Sequence, residues 1–186
     1  VICVEDPLRE EAADAVRELK EAGITKVVMM TGDSERTAAA IAKRVGVDEY
    51  YSEVLPEDKA SFVEKEKELG HKVIMIGDGI NDSLALSSAS VGIAISDGAA
   101  IAREIADVTI SADNLHEIVT LKRLSTALMK RIHNNYRTII GINGGLIALG
   151  VTGIIMPTTS ALLHNMSTLT ISLRSMRNLL PKEEEA

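Results

Sequence analysis

VIMIGDGINDSLAL, residues 73–86, passes from four consecutive apolar residues into a glycine-rich turn that carries two acids, Asp78 and Asp82. An unbroken apolar run closed by a turn suits a parallel strand buried on both faces. The two acids then stand just beyond the strand's carboxyl end, where open α/β sheets gather their chemistry. Val27–Met30 followed by Thr31-Gly32-Asp33 repeats the arrangement.

Outward from these two runs, residues 1–113 alternate between short apolar segments and amphipathic ones. Val1–Val4, Val27–Met30, Val73–Ile76, Val91–Ile95 and Val108–Ile110 read as strands. Helical patterns fall at about 10–22, 35–45, 56–69, 81–89 and 99–106. Three of them stop at a glycine (Gly23, Gly46, Gly70), and Pro56 suits a first helical turn. The expected fold is a doubly wound parallel α/β layer. With no Trp, one Phe and three Tyr, its core must be aliphatic. Cys3 is alone, which leaves no internal disulfide and no cysteine metal cage. Acids near the start (Glu5, Asp6) do not make a signal peptide.

Charge divides the chain. Residues 1–114 hold 12 Lys/Arg against 23 Asp/Glu, a balance of −11, and residues 115–186 hold 8 against 4, a balance of +4. Thr138–Leu173 is 36 residues without a formal charge. The two parts are built for different surroundings. Nothing in either calls for nucleic acid.

Chemistry concentrates in the first part. Asp78 and Asp82 offer hard oxygen ligands of the kind Mg²⁺ prefers. Thr31 offers a hydroxyl and a backbone N–H to a phosphoryl oxygen. Lys59, in Leu55-Pro56-Glu57-Asp58-Lys59, supplies positive charge for a developing phosphoryl anion. Each segment alone has a plainer reading: Asp33 or Ser34 as a helix cap, Lys59 as a solvated lysine like Lys65 and Lys67. Together they are equipment for phosphoryl transfer without an acceptor.

In order along the chain, Asp6-Pro7-Leu8-Arg9, Thr31-Gly32-Asp33, Pro56 with Lys59, Gly77-Asp78-Gly79-Ile80-Asn81-Asp82, Val91–Ile95 and Ala106-Asp107 resemble the P-type ATPases, ion pumps whose phosphorylation domain is haloacid-dehalogenase-like. Leu84 stands where many members have proline. The resemblance implies Mg²⁺ at Asp78 with Asp82 close by, and phosphoryl contacts from Thr31 and Lys59. It gives Gly32, Asp33 and Asn81 supporting places around the phosphoryl and ATP site. It also implies a nucleophilic aspartate in a DKTGT sequence, and none of these 186 residues spells one. The expectation is therefore the C-terminal piece of a longer pump, inactive by itself, whose ATP site lies largely in the missing N-terminal part. In that superfamily the nucleophile's strand lies between the strands at 27–30 and 73–76. Its absence should leave a gap or force a non-native pairing, and residues 1–113 alone should be poorly soluble.

From Asn114, Leu115, Ile118, Leu121, Leu124, Leu128 and Ile132 recur at helical spacing, with Lys122, Arg123, Lys130, Arg131 and Arg137 among them. This amphipathic connection, 114–137, leads into Thr138–Ile155, whose 18 residues would make a helix of about 27 Å. Met156-Pro157 reads as a turn, and Thr158–Leu173 as a return. Basic residues at both ends predict a two-helix transmembrane hairpin over 138–176, with residues 1–137 and an acidic tail, 177–186, on the cytoplasmic side of the cell membrane. Gly141 and Gly145 form a GxxxG packing surface. The return helix is polar for a span. His164, Ser167 and Thr168 share a face, and an interhelical hydrogen bond competes with metal ligation for His164.

His164-Asn165-Met166-Ser167-Thr168 resembles the last span of the heavy-metal subgroup, and Asn143 falls where the preceding span often carries a polar residue. The resemblance implies a transported divalent cation such as zinc, cadmium, cobalt or manganese. Two other readings compete. A soluble phosphatase of the same superfamily explains the acids but not the uncharged stretch. A non-catalytic, membrane-anchored remnant explains the missing nucleophile.

Overall fold

A computed structural model describes residues 8–77, 81–95, 104–110 and 114–179. The chain divides into two units, residues 1–120 and 121–186. The strand expected at Val1–Val4 and most of the helix expected at 99–106 lie outside the described residues.

In the first unit the order is α1 (Ala12–Glu21), β1 (Val28–Met30), α2 (Glu35–Val45), β2 (Glu49–Tyr51), α3 (Pro56–Glu68), β3 (Ile74–Gly77), α4 (Ser83–Ser88), β4 (Val91–Ile95) and β5 (Val108–Ile110). Every strand pairing among the described residues is parallel, with α2 crossing from β1 to β2 and α4 from β3 to β4. α2 covers the span predicted for it and stops at Gly46, whose left-handed φ of 79° lets its N–H reach the Ala42 carbonyl. β2 has no counterpart in the sequence reading. Its three residues are all exposed, so no apolar run marks it, and only pairing with β1 makes it a strand.

The described strands form two sheets rather than one: β1–β2, and β3–β4–β5. β1 and β3 are not paired. Among the described residues no strand and no substitute pairing joins β1 to β3.

Val63, Met75, Ala85 and Leu86 form a buried aliphatic cluster, flanked by Ala60, Val73, Ala89 and Ile105. It locks α3 and α4 onto β3. Removing such side chains from water contributes roughly 1.5–3 kcal/mol for each large one. α3 also reaches the other sheet, where Phe62 meets the Tyr51 ring at 5.2 Å between centroids. One helix thus touches both sheets.

The second unit consists of most of α5 (His116–Val151) and all of α6 (Pro157–Ser175). α5 opens where the Asn114 side chain accepts the His116 N–H at 2.9 Å, and runs unbroken through Gly141 and Gly145. The expected span to Ile155 needs correction. The helix ends at Val151 because Gly153 turns left-handed at φ 73°, so its uncharged part is Thr138–Val151. α6 is interrupted by polar residues throughout. No helix among the described residues is long and apolar enough to cross a membrane.

The helices run antiparallel and meet through polar pairs. Asn135 Nδ2 donates to Ser175 Oγ at 2.7 Å, and His164 Nδ1 lies 2.8 Å from Asn143 Oδ1. A Cβ on Gly141 or Gly145 would meet nothing within 4 Å, so the expected packing surface is unoccupied among the described residues.

Candidate functional site

Thr31-Gly32-Asp33 leaves the carboxyl end of β1 as a tight loop held by its own side chains. The Thr31 hydroxyl donates to Asp33 Oδ2 at 2.7 Å and accepts the Asp33 N–H at 3.1 Å. Asp33 therefore does not cap α2. Ser34 occupies the cap position, but its hydroxyl pairs with the Thr37 hydroxyl at 3.2 Å and makes no cap bond to the helix backbone. The Thr31 N–H, expected to face a phosphoryl oxygen, donates instead to the Tyr51 carbonyl at 3.0 Å, because it continues the β1–β2 ladder. Only the hydroxyl is left for a ligand.

A second loop braces the first. The Val54 N–H donates to the Thr31 carbonyl, and the Glu53 N–H to the Asp33 carbonyl. Glu53 holds φ at 54°, a left-handed conformation that costs a non-glycine residue of order 1 kcal/mol. No sequence signal marks Glu53 for this role.

Two carboxylates fix this corner. Asp48 accepts from Lys20 Nζ and from the Val27 N–H, both at 2.7 Å, tying α1 to the start of β1. The Lys20 ammonium, then the Val27 N–H, hold the Asp48 carboxyl below its ordinary range. Glu35 accepts from Ser52 Oγ at 2.6 Å and Tyr50 Oη at 2.8 Å, tying α2 to β2. Ser52, then Tyr50, lower its pKa, and Glu35 in turn raises that of the Tyr50 phenol.

At the carboxyl end of β3, Lys59 Nζ stands 2.7 Å from Asp82 Oδ1, with both side chains mostly buried. Lys59 comes from the first turn of α3, which Pro56 opens and where Asp58 accepts the Leu55 N–H. Asp82 comes from the turn before α4, whose Ala85 and Leu86 are in the core. That placement explains why Ala85-Leu86 follows the acids. Leu84 points to solvent, so the departure from proline leaves Asp82 undisturbed. Asp82 makes no cap bond to α4, which frees its carboxylate for Lys59.

Gly77 permits this arrangement. A Cβ there would lie 2.5 Å from Asp82 Oδ2 and 2.8 Å from its Cβ. The glycine before the acid is needed for space, a role that its place in a turn had hidden. Asn81 is exposed beside it, and Asp78 lies outside the described residues.

The structure thus joins Lys59 to Asp82 and Thr31 to Asp33, as two constellations each at the end of a parallel strand. Among the described residues no three His, Cys, Asp or Glu side chains cluster as a metal site. The Asp82 carboxylate, hard and mostly buried, is chemically suited to Mg²⁺. Such a site needs a second carboxylate beside it.

In the second unit a cleft of about 670 Å³ opens between α5 and α6, lined by Asn143, His164, Asn165 and Ser160 with apolar neighbours. The His164–Asn143 contact is the interhelical hydrogen bond that competed with ligation. Ser167 and Thr168 spend their hydroxyls on the His164 carbonyl, at 2.8 and 3.0 Å.

Comparison with known proteins bears on both units. The haloacid dehalogenase-like hydrolase family matches residues 1–90. A zinc-exporting P-type ATPase of Mycobacterium marinum is 36% identical over 95% of this chain, and 24% of its own length is covered. A manganese-exporting P-type ATPase of Mycobacterium bovis is 37% identical over 95% of the chain and 25% of its own length. The crystal structure of a zinc-transporting PIB-type ATPase in its E2.Pi state superposes with a TM-score of 0.86 at 34% identity, covering 95% of this chain and 29% of that one. Over 95% of its length the chain is homologous to heavy-metal P-type ATPases. It spans about a quarter of the length of the curated relatives it matches. The stretch that matches the haloacid dehalogenase-like family carries both strand-end constellations.

Proposed function

We propose that this chain is the part of an ATP-driven pump for a divalent heavy-metal cation that handles the phosphoryl group and contributes two helices to the ion path. The Lys59–Asp82 pair at the carboxyl end of β3 carries the reading. An ammonium held by a carboxylate, above a strand end, is preset to stabilise phosphoryl oxygens.

In the whole pump an aspartate carboxylate attacks the γ-phosphorus of ATP, the bond to ADP breaks, and water later releases phosphate from the acyl phosphate. Neither that aspartate nor the nucleotide-binding region is among these 186 residues. Lys59 gives positive charge to the transferred group, and the Thr31 hydroxyl turns from Asp33 to donate to it. Gly32, Asp33 and Asn81 shape the pocket around both. Asp78 and Asp82 would hold Mg²⁺, which when bound neutralises phosphoryl charge. Residues 1–113 form this part, the amphipathic connection 114–137 transmits its rearrangements, and residues 177–186 are a tail on the same, cytoplasmic side.

Residues 138–176 are proposed to lie in the membrane among the pump's other spans. Side chains such as Ile147, Ile154, Leu162 and Leu173 are exposed, and Gly141 and Gly145 face open space. A polar helix without lipid on all sides needs no uniform apolar face, which suits α6 to the interior of a bundle. His164 and Asn143, with Ser167 and Thr168 beside them, are the candidates for the transported cation. Relatives that export zinc and manganese match this chain almost equally well, so the class of cation is proposed here and not its identity.

Asp78→Asn in the complete pump tests the assignment. ATP-dependent export should disappear, and undiminished export would sink it. The isolated chain should release no phosphate from ATP in the presence of magnesium; steady release would refute its dependence on a missing nucleophile.

A further inference from the structure

At the end of the α5–α6 pair away from the turn, a second cleft of about 450 Å³ is lined by Lys130, Arg131, Asn134, Asn135, Arg174 and Arg177, among others. No Asp or Glu occurs from Ile118 to Lys182. Among the described residues of its own unit the cleft's charge therefore meets no acidic side chain. Arg131 is already committed: its guanidinium donates to the carbonyls of Ser175 at 2.9 Å, Asn178 at 3.0 Å, and Arg177. It closes the last turn of α6, where those carbonyls have no helical partner. Asn135 holds the same turn through Ser175. That bracing fixes Arg174 and Arg177 opposite Lys130. All three are exposed, and none has a carboxylate partner among the described residues.

The cleft also has a definite depth. Thr138, the first residue of the uncharged stretch, lines it. Polar floor, cationic rim and apolar helices to one side match a phospholipid whose headgroup and tails need those surroundings in that order.

We propose that this cleft binds the headgroup of an anionic phospholipid, its phosphate held by Lys130, Arg174 and Arg177. The inference rests on the membrane reading of residues 138–176. A phosphate ester is the chemistry that arginine's planar donors fit best. Each Lys or Arg near an anionic bilayer surface gains about fivefold in partitioning, so three converging on one headgroup should discriminate sharply against zwitterionic lipid.

The test reconstitutes the full chain into nanodiscs of phosphatidylcholine and phosphatidylglycerol in about 3:1 ratio, then counts lipids that remain bound by native mass spectrometry. Bound lipid should be enriched in phosphatidylglycerol at least about fivefold over the bilayer. Lys130→Gln with Arg174→Gln and Arg177→Gln should bring it to the bulk ratio at unchanged helicity, whereas Arg174→Lys with Arg177→Lys keeps most of it. Bound lipid that mirrors the bilayer in the parent chain overturns the proposal. So does saturable binding of inorganic phosphate in detergent without lipid enrichment, which assigns the cleft to a soluble anion. A chain stripped from vesicles by alkaline carbonate overturns the membrane reading, and this inference with it.

Discussion

Asp82 leans so closely on Gly77 that any side chain at residue 77 would displace its carboxylate, since a Cβ would stand 2.5 Å from Oδ2. The carboxylate's other oxygen is bonded to Lys59. One missing carbon at the end of β3 therefore sets the position of both charged groups.

Gly77→Ala should force Asp82 to move and break its contact with Lys59. A stability loss of about 1–3 kcal/mol is expected, the usual penalty for overpacking. In the complete pump, phosphoenzyme formation should fall at least about tenfold, the cost of misplacing a positioned group. Acid-stable phosphorylation by labelled ATP reads this out, and wild-type levels would separate Gly77 from the site.

Lys59 and Asp82 should be energetically coupled. Lys59→Met and Asp82→Asn each strand the partner in a mostly buried position. A double-mutant cycle by denaturant unfolding of the full chain should give about 1–3 kcal/mol of interaction. Strict additivity would mean that the pair is loose, as exposed ion pairs are.

Acid should loosen the first unit through Asp48 and Glu35. Both carboxyls have lower pKa values folded than unfolded, Asp48 through Lys20 and Val27, Glu35 through Ser52 and Tyr50. Their stabilisation is complete above the unfolded-state values of about 4 and is lost as pH falls through the lower folded values. Thermal midpoints of the full chain should drop below about pH 4. Asp48→Asn should lower the midpoint at neutral pH and flatten the acid limb; an unchanged limb would place the acid sensitivity elsewhere.

Residues 1–113 on their own should bind hydrophobic dyes and melt broadly. Among the described residues β1 and β3 each end their sheet without a partner on the outer side, and Ile74 on β3 is 40% exposed. Unpaired apolar edges of this kind invite association. A sharp, cooperative transition from a monomer would show that the two half-sheets suffice.

His164 should matter to the cation through its other ring nitrogen. With Nδ1 beside the Asn143 oxygen, Nε2 carries the lone pair for a metal. His164→Ala in the complete pump should weaken metal-stimulated ATPase activity by about 10- to 100-fold, and Asn143→Leu by less. Equal activity in both variants would leave that hydrogen bond a purely structural one.

Most of the fold was legible from local pattern. The apolar runs at 73–76 and 91–95 became β3 and β4, α2 matched its predicted limits, and the glycine stops held. β2 was not legible, because an exposed three-residue strand exists only through its partner. The first expected span was overestimated, and no helix among the described residues is long and apolar enough to cross a membrane. Hydropathy runs on to Ile155, while Gly153 turns the backbone four residues after Leu149.

By itself the sequence determined the order of the described strands and helices apart from β2, the aliphatic core, the division of charge and the residue types at each strand end. These depend on spacing and composition along the chain, which are local quantities. Tertiary structure decided that Lys59 faces Asp82, that Asp33 turns to Thr31 and away from α2, that Gly77 is needed for space, and that the sheet is split between β1 and β3. Those are relations between residues distant in sequence or competing for one partner, and only packing chooses among them.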